Sequence, residues 1–432
     1  MPLKALPRLL RIHSARFQRR AVFLIGGVVV GGGAAAMALL ADAAQSEFRK
    51  TLQLSPYLPL VLTPLGFALS VYLTRRFFPN SQGSGIPQVI AAREFDDQAD
   101  RQKLVSLKIA FGKILLTLLG LLCGGSVGRE GPTVQVGASV MFEAGRLSPR
   151  RQRGWILAGA SAGVAAAFNT PLAGIVFGIE EMSQSFELRT SGLILGTVIA
   201  AGVTSQALLG DYTYFGTTGA VLHGWRDWAC VPMCGILGGL AGGLFSRLLI
   251  AMARGLPGQL GALIKANPIA FAAACGFLVG LCGVASNGVT YGTGYQEVTA
   301  LLHQHGGPGQ GFGVFKFIAT ALSAISGIPG GIFSPSLAVG AGLGANVAAF
   351  LPGATLEAVI VLGMVSYFTG VVQAPITAFV IVTEMTGNHA MIMPIMAAAF
   401  IAHWTSKLIC PQGIYHALAR NFLSLGAARG SH

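Results

Sequence analysis

Gly128-Arg129-Glu130-Gly131-Pro132 opens a helix in the middle of an apolar chain, and Gly331-Ile332-Phe333-Ser334-Pro335 repeats the frame in the second half with Phe where Glu was. The match continues, Pro132-Thr133-Val134-Gln135-Val136-Gly137-Ala138 lying over Pro335-Ser336-Leu337-Ala338-Val339-Gly340-Ala341. A glycine-flanked helix start is a severe constraint inside a membrane. Its first turn leaves N–H groups unpaired and presents the positive end of the helix dipole. Lipid satisfies neither, so such a start must be buried in protein or face water. Two of them, one from each half of a chain, build an anion site near the bilayer midplane.

The membrane follows from composition. The 432 residues are 53% hydrophobic and only 10% charged, where soluble domains carry about a quarter charged residues. A span needs roughly 20 apolar residues. Runs of that order cover Ala21–Ala44, Pro59–Thr74, Leu104–Cys123, Leu193–Leu209, Val231–Met252 and Leu356–Thr383. The expected fold is an all-α polytopic membrane protein with no large soluble domain. Many of its helices should be short, broken or tilted, because Gly- and Pro-rich landmarks interrupt the runs.

The net charge of +13 suggests a nucleic-acid partner until its placement is considered. Lys4, Arg8, Arg11, Arg16, Arg19 and Arg20 precede the first span, and Arg146, Arg150, Arg151 and Arg153 share a short loop. The positive-inside rule produces this pattern. It puts the N-terminus and that loop in the cytoplasm and excludes nucleic acid as the partner. The first apolar run is too long for a signal-peptide core and is followed by further spans, so it reads as a retained helix. Cys123, Cys230, Cys234, Cys275, Cys282 and Cys410 lie mostly in apolar stretches and read as small buried hydrophobes. Arg429 to His432 resembles the stub of an expression tag and is set aside.

Three landmarks recur in order. Gly83-Ser84-Gly85-Ile86-Pro87-Gln88-Val89 matches Gly292-Thr293-Gly294-Tyr295-Gln296-Glu297-Val298; the two helix starts match; and Pro171 with Glu180 matches Pro375 with Glu384. The offsets are 209, 203 and 204 residues. The chain therefore reads as one transmembrane domain over 1–432: a basic segment 1–20, a first repeat near 21–215, a second near 225–420 and a short tail 421–432. Transporter repeats of this kind are often inverted, with the site at their interface. The charged stretch Arg93 to Lys103 reads as a solvated cytoplasmic loop. His303 and His305 have metal-compatible spacing but no third ligand, and read as loop histidines; no metal or cofactor is expected.

Acids within spans are costly and mark functional candidates. Glu130 suits the first helical turn on dipole grounds alone, as Pro132 does. Yet Phe333 at the equivalent place shows that the frame needs no acid. A carboxylate that occupies an anion site can also leave it when protonated, which links anion occupancy to a proton. Glu180 and Glu181 are adjacent, and their repulsion in a low dielectric favours keeping a proton on one of them; a solvated helix end is the alternative. Glu384 corresponds to Glu180, so that position reads as structural and Glu181 as the extra, functional acid. Ser84, with the amides of Gly85 and Ile86, supplies anion donors, or forms a simple turn. Tyr415 supplies a phenol donor, or an interfacial anchor. A membrane-embedded hydrolase would need a nucleophile and a base on facing helices, and Ser286 and His403 have no such partners.

At these residues the chain resembles the CLC family of chloride channels and chloride/proton exchangers. The matching pieces are Gly83-Ser84-Gly85-Ile86-Pro87, Gly128-Arg129-Glu130-Gly131-Pro132, Gly331-Ile332-Phe333-Ser334-Pro335 and Tyr415, with Ala165-Ala166-Ala167-Phe168-Asn169 between them. The resemblance implies about eighteen helical segments in two inverted halves, and a homodimer in an inner plasma membrane with one anion path per subunit. It implies a secondary transporter exchanging chloride for protons, not an enzyme, with a passive or weakly coupled chloride channel as the alternative. Ser84, Tyr415 and the amides near Ile332 and Phe333 would hold the anion, and Gly85, Ile86, Gly128, Arg129, Gly131 and Gly331 would be anion-binding residues with them. Glu130 would be the external gate and Glu181 the internal proton-transfer acid. Fluoride exporters depart from the Gly-Ser-Gly-Ile-Pro form and nitrate-preferring members carry Pro in place of Ser84; this chain follows the chloride pattern at both. The nucleotide-binding CBS domains of many eukaryotic members have no counterpart here.

Overall fold

Asn169 and Gln373 both adopt positive φ, 55° and 61°, and each is followed two residues later by a proline that starts a new helix. Neither helix can continue through a left-handed residue and a missing N–H. This is why Leu356–Thr383, one apolar run in the sequence, is two helices in the structure.

The structure, a computed structural model, describes residues 6–147, 151–183, 191–210, 212–303, 307–351 and 353–427. Among them there are helices and turns but no sheet, only two isolated bridges between loops. The first repeat supplies α1 (Leu6–Leu54), α2 (Pro59–Phe77), α3 (Ile86–Glu94), α4 (Gln98–Leu104), α5 (Leu107–Leu122), α6 (Glu130–Ala144), α7 (Gln152–Phe168), α8 (Pro171–Phe177) running into a π-helical turn Gly178–Ser183, and α9 (Ser191–Leu209). The second supplies α10 (Trp225–Arg254), α11 (Gly258–Ala266), α12 (Pro268–Ala285), α13 (Tyr295–His303), α14 (Phe312–Ile325), α15 (Phe333–Phe350), α16 (Leu356–Val372), α17 (Pro375–Thr386), α18 (Ile392–Ile409) and α19 (Ile414–Ala427). Seven described helices are long and apolar enough to cross a membrane. They include the runs starting at Pro268, Phe333 and Ile392, which inspection of the sequence did not single out. Exposed Leu24, Ile25, Leu65, Phe111 and Leu244 are what a lipid-facing surface requires.

Packing repeats with the sequence. α6 packs on α7 as α15 packs on α16, and α1 on α9 as α10 on α18. At the first pair Gly137 and Gly159 meet backbone to backbone; at the second, Gly340 and Gly363 do. A Cβ at any of these four would sit within 2.5 Å of the facing carbonyl oxygen, so small residues set the crossing distance. The repeats face each other in opposite sense. Gly128 and Gly331, equivalent residues, exchange both backbone hydrogen bonds as an antiparallel pair, each 2.7 Å. Equivalent helices α2 and α12 run antiparallel, with Gly276 against Pro64 and Gly280 against Leu60. An approximate twofold axis thus passes between Gly128 and Gly331 and inverts one repeat onto the other.

The charged stretch after α3 is not a plain solvated loop. It contains α4, whose Arg101 is buried, donating to the Phe95 carbonyl and to Gln152 Oε1 at the start of α7. Cysteines behave as small hydrophobes, five buried and Cys282 half-buried, none bridged. Lys4, Arg150, His305 and the stretch from Arg429 to His432 lie outside the described residues.

Candidate functional site

The Gly128–Gly331 pair brings the starts of α6 and α15 together at the centre of the molecule. The hydrogen bonds of this pair correct one expectation: the N–H groups of Gly128 and Gly331 are paired with each other, so these residues join the two helix starts and do not donate to an anion. Gly131 serves the same closeness, since a Cβ there would meet the Ser84 carbonyl at 2.9 Å and Gly331 Cα at 3.2 Å. Gly85 takes φ +93° to turn into α3, which places Ser84 beside that junction.

Glu130 is wholly buried. Its Oε1 accepts from the Ser334 hydroxyl at 2.5 Å and from the Tyr214 hydroxyl at 3.3 Å. Ser334 belongs to the first turn of α15 and Tyr214 to the segment that follows α9, so the carboxylate is held by the second repeat through Ser334 and by its own repeat's end through Tyr214. Its second oxygen, Oε2, has no hydrogen-bond partner among the described residues. The carboxylate benefits from two helix starts but lacks the full set of donors that a buried charge requires. Phe333, in the equivalent place, stacks with Phe168 at 5.9 Å and meets Tyr415 at 6.0 Å between ring centroids.

Two cavities approach this centre. One, of about 300 Å³, is lined by Arg129, Asp42, Tyr212, Tyr214, Thr293 and Tyr295 among others. Arg129 is fixed there by the Ala38 carbonyl at 2.7 Å and Asp42 at 2.8 Å. The other, of about 350 Å³, is lined by Gln82, Gly83, Ser84, Ile332 and Tyr415, with apolar Leu249 and Phe422. The twofold axis exchanges them: Arg129 corresponds to Ile332 and Thr293 to Ser84. Even a local bond repeats, Ile86 N–H donating to Ser84 Oγ and Tyr295 N–H to Thr293 Oγ1, both 3.3 Å. Glu130 and Ser334 stand between the cavities, touching Tyr214 on one side and following Ile332 on the other. The Tyr415 hydroxyl is buried at the second cavity with no acceptor among the described residues. A buried donor left unpaired costs about 1–3 kcal/mol.

The sequence from 66 to 407 matches the family model of voltage gated chloride channels. The chain belongs to that family. Curated relatives include the H(+)/Cl(-) exchange transporter ClcA of Yersinia pestis and of Yersinia pseudotuberculosis, each 31% identical over 86% of this chain and 81% of the relative. Similar solved structures include a slow cyanobacterial Cl-/H+ antiporter (24% identity, TM-score 0.79, 94% of this chain and 97% of that one) and a CLC-type fluoride/proton antiporter (24%, 0.78, 92% and 96%). A eukaryotic CLC transporter shares the fold at 19% identity and TM-score 0.73, over 93% of this chain and 74% of that one. This is a transport family, not an enzyme family, and the CLC fold accounts for the many broken helices.

Within this CLC chain the equivalent acids Glu180 and Glu384 make equivalent contacts. Glu180 accepts the N–H groups of Ile376 (3.1 Å) and Thr377 (2.6 Å) at the start of α17. Glu384 accepts those of Leu172 (3.2 Å) and Ala173 (2.8 Å) at the start of α8. Each repeat caps the other's broken helix. Glu181 makes no such bond; it is buried, and His416 Nε2 lies 3.7 Å from its Oε1. Several site residues escaped the sequence reading. Lys113 donates to the carbonyls of Gln82 and Gly83, and Lys316 to those of Thr290 and Gly292, so each ties down the loop before α3 or α13. Two lysines in apolar runs at the 203-residue offset were a legible signal. Ser334 lies in the Gly331–Pro335 motif with no role evident from it, and Tyr214, Asp42 and His416 carried no signal. His303, a loop histidine in the sequence reading, bonds the Phe215 carbonyl at 2.6 Å and so braces the Tyr214 segment.

Proposed function

We propose that this CLC protein is a secondary transporter exchanging chloride for protons, in which Glu130 is the gate that competes with chloride and Glu181 the inner proton-transfer acid. The observation that carries this reading is the position of Glu130. It stands between two cavities, at a helix start suited to an anion, with one carboxylate oxygen bonded and the other unpartnered. Protonation removes the charge that holds it against the two helix starts. Chloride then takes its place, and the proton it carries is counted against the anion.

Chloride would rest in the second cavity, against the hydroxyls of Ser84 and Tyr415 and the amides near Ile332 and Phe333, with Gly85, Ile86, Gly131 and Arg129 shaping the surrounding loops. Glu181 supports the exchanger reading because it is a buried acid without a counterpart: its equivalent in the second repeat is Met385. The names of the curated relatives, H(+)/Cl(-) exchange transporters, point the same way. No cofactor enters this scheme. The basic N-terminal segment and the Arg146–Arg153 loop support a cytoplasmic second cavity and an external first cavity, in a bacterial-type inner membrane. Pairing of two copies is supported at α8 and α17. Their starts leave Leu172 and Ile376 exposed beside carboxylate caps, a surface that suits a second copy better than lipid.

The test is a proteoliposome assay in which an imposed chloride gradient is asked to drive protons uphill, with chloride efflux recorded on the same vesicles. Proton movement that follows the chloride gradient is expected. Chloride efflux without proton movement in the unmodified protein would replace the exchanger reading by that of a passive channel.

A further inference from the structure

We propose that His416 relays protons between the cytoplasm and Glu181. The proposal rests on the reading of Glu181 as the inner proton acceptor and adds the group that connects it to water. Glu181 is only 5% exposed, and its Oε1 has no hydrogen-bond partner among the described residues. A carboxylate so placed exchanges protons with bulk water slowly unless another group carries them. The His416 ring is at hand. Its Nε2 lies 2.9 Å from the Glu181 carbonyl oxygen and 3.7 Å from Oε1, while its side chain remains 28% exposed. One end of the imidazole therefore meets the buried acid and the ring still reaches solvent.

The chemistry suits the place. Imidazole is the side chain whose unperturbed protonation changes between pH 5 and 8. In the inward step, a cytoplasmic buffer acid gives its proton to Nδ1 of the neutral ring, whose Nε2–H faces Glu181. The imidazolium then passes the Nε2 proton to the Glu181 carboxylate. A neutral acid and a neutral ring with its proton on Nδ1 remain, and the buffer keeps the negative charge. A flip of the ring then turns the protonated nitrogen back toward Glu181 and the bare nitrogen toward solvent. The outward step is the reverse, and no other reactant is needed.

Chain order gives the arrangement a further meaning. Tyr415 and His416 are consecutive in the first turn of α19, and successive residues on a helix point about 100° apart at 3.6 residues per turn. Tyr415 lines the cavity with Ser84, whereas His416 meets Glu181. The routes for chloride and protons thus part at a single helix start. Charges on the surrounding elements are Arg93 and Glu94 of α3, Arg247 and Arg254 of α10, Glu180 of the π turn and Arg420 of α19. The relay is therefore tested by paired variants and by an added proton carrier as well as by pH.

The experiment compares unmodified protein, His416→Gln, Glu181→Gln and the double variant in vesicles under a chloride gradient. His416→Gln is expected to slow coupled proton and chloride fluxes together by several-fold. Imidazole buffer should restore them, and a non-imidazole buffer of equal strength should not. In Glu181→Gln, already uncoupled, adding His416→Gln should leave chloride flux unchanged. If His416→Gln turns over like the unmodified protein while Glu181→Gln uncouples, the relay is wrong and the Glu181 role stands. If Glu181→Gln stays coupled, the Glu181 reading falls and the relay with it. If the double variant moves chloride more slowly than Glu181→Gln alone, His416 merely holds the start of α19, and the relay is overturned.

Discussion

The two repeats share their scaffold and differ in their chemistry. Equivalent residues do equivalent structural work: Gly128 pairs with Gly331, Lys113 and Lys316 tie the loops before α3 and α13, and Glu180 and Glu384 cap each other's helices. Where the repeats disagree, the proposed ion chemistry appears. Glu130 faces Phe333 across the axis, and Glu181 has Met385 as its counterpart. Symmetry in this molecule marks what must fold, and its breaches coincide with the acids proposed to react. That rule separates Glu180 from Glu181, two adjacent acids that composition alone cannot tell apart.

The largest expected effect breaks the symmetry at its sharpest point. Glu130→Gln keeps the size of the side chain and removes its titration, so proton flux under a chloride gradient should fall by on the order of 100-fold, the scale of a lost proton-transfer group. Glu130→Ala should leave a path through which chloride moves without pH control. Phe333→Leu, the same position in the other repeat, should retain coupled proton flux. Chloride-driven proton uptake in Glu130→Ala vesicles would sink the gating role.

Symmetric positions should respond symmetrically. Glu180→Gln and Glu384→Gln each replace a two-oxygen acceptor by one carbonyl, leaving one N–H of a broken helix poorly paired. Each should lose about 1–3 kcal/mol of stability, read as lowered unfolding temperature and yield in detergent, with coupling intact in the protein that folds. Glu181→Gln should show the opposite pattern, normal stability with proton coupling lost and chloride movement retained. A coupling defect in Glu384→Gln equal to that of Glu181→Gln would break the division between cap and proton carrier.

The lysines sharpen the comparison further. Lys113→Met and Lys316→Met both free two loop carbonyls and should destabilise to similar degrees. Only Lys113 holds loop residues, Gln82 and Gly83, that line the Ser84 cavity. Chloride affinity measured by calorimetry should therefore weaken by roughly tenfold, about 1.4 kcal/mol, in Lys113→Met alone. Equal affinity in both variants would remove the Ser84 cavity from the anion path.

Much of this was legible in sequence because the repeat is. Landmarks at near-constant offsets exposed the two halves, the helix starts and the odd acids, and glycine placement anticipated the broken helices. The residues that escaped reach the site over long separations, and only Ser334 sits in a motif, where its spacing gave no hint of a carboxylate partner. Tyr214 meets Glu130 from 84 residues away, Ser334 from 204, and His416 meets Glu181 from 235. A side chain in a loop or at a helix start takes its role from the element that folds against it, and neither periodicity nor spacing reports that. The run Leu356–Thr383 misled for a related reason: hydropathy does not register a left-handed Gln373.

The smallest expected effect concerns two tyrosines, each placed shortly after the last long helix of its repeat. Tyr214 follows α9 and touches Glu130; Tyr415 follows α18 and lies beside Phe333. Their hydroxyls should act in opposite directions. The Tyr214 hydroxyl donates to Glu130, the proposed gate, and in that reading steadies the closed arrangement against chloride. Tyr214→Phe removes one donor of two, at a long 3.3 Å, worth about 0.5–1.5 kcal/mol. Chloride should then displace the gate more readily, and the half-saturating chloride concentration for exchange should fall several-fold. The Tyr415 hydroxyl faces the proposed anion and has no other acceptor among the described residues, so Tyr415→Phe should raise that concentration by a similar factor. In the Glu130→Ala background there is no gate for Tyr214 to hold, and Tyr214→Phe should lose its effect while Tyr415→Phe keeps its own. Chloride-exchange titrations on the four single and double variants decide the matter. Shifts of the same sign for both tyrosines would mean that Tyr214 also binds the anion directly, and the hold on the proposed gate would then rest on Ser334 alone.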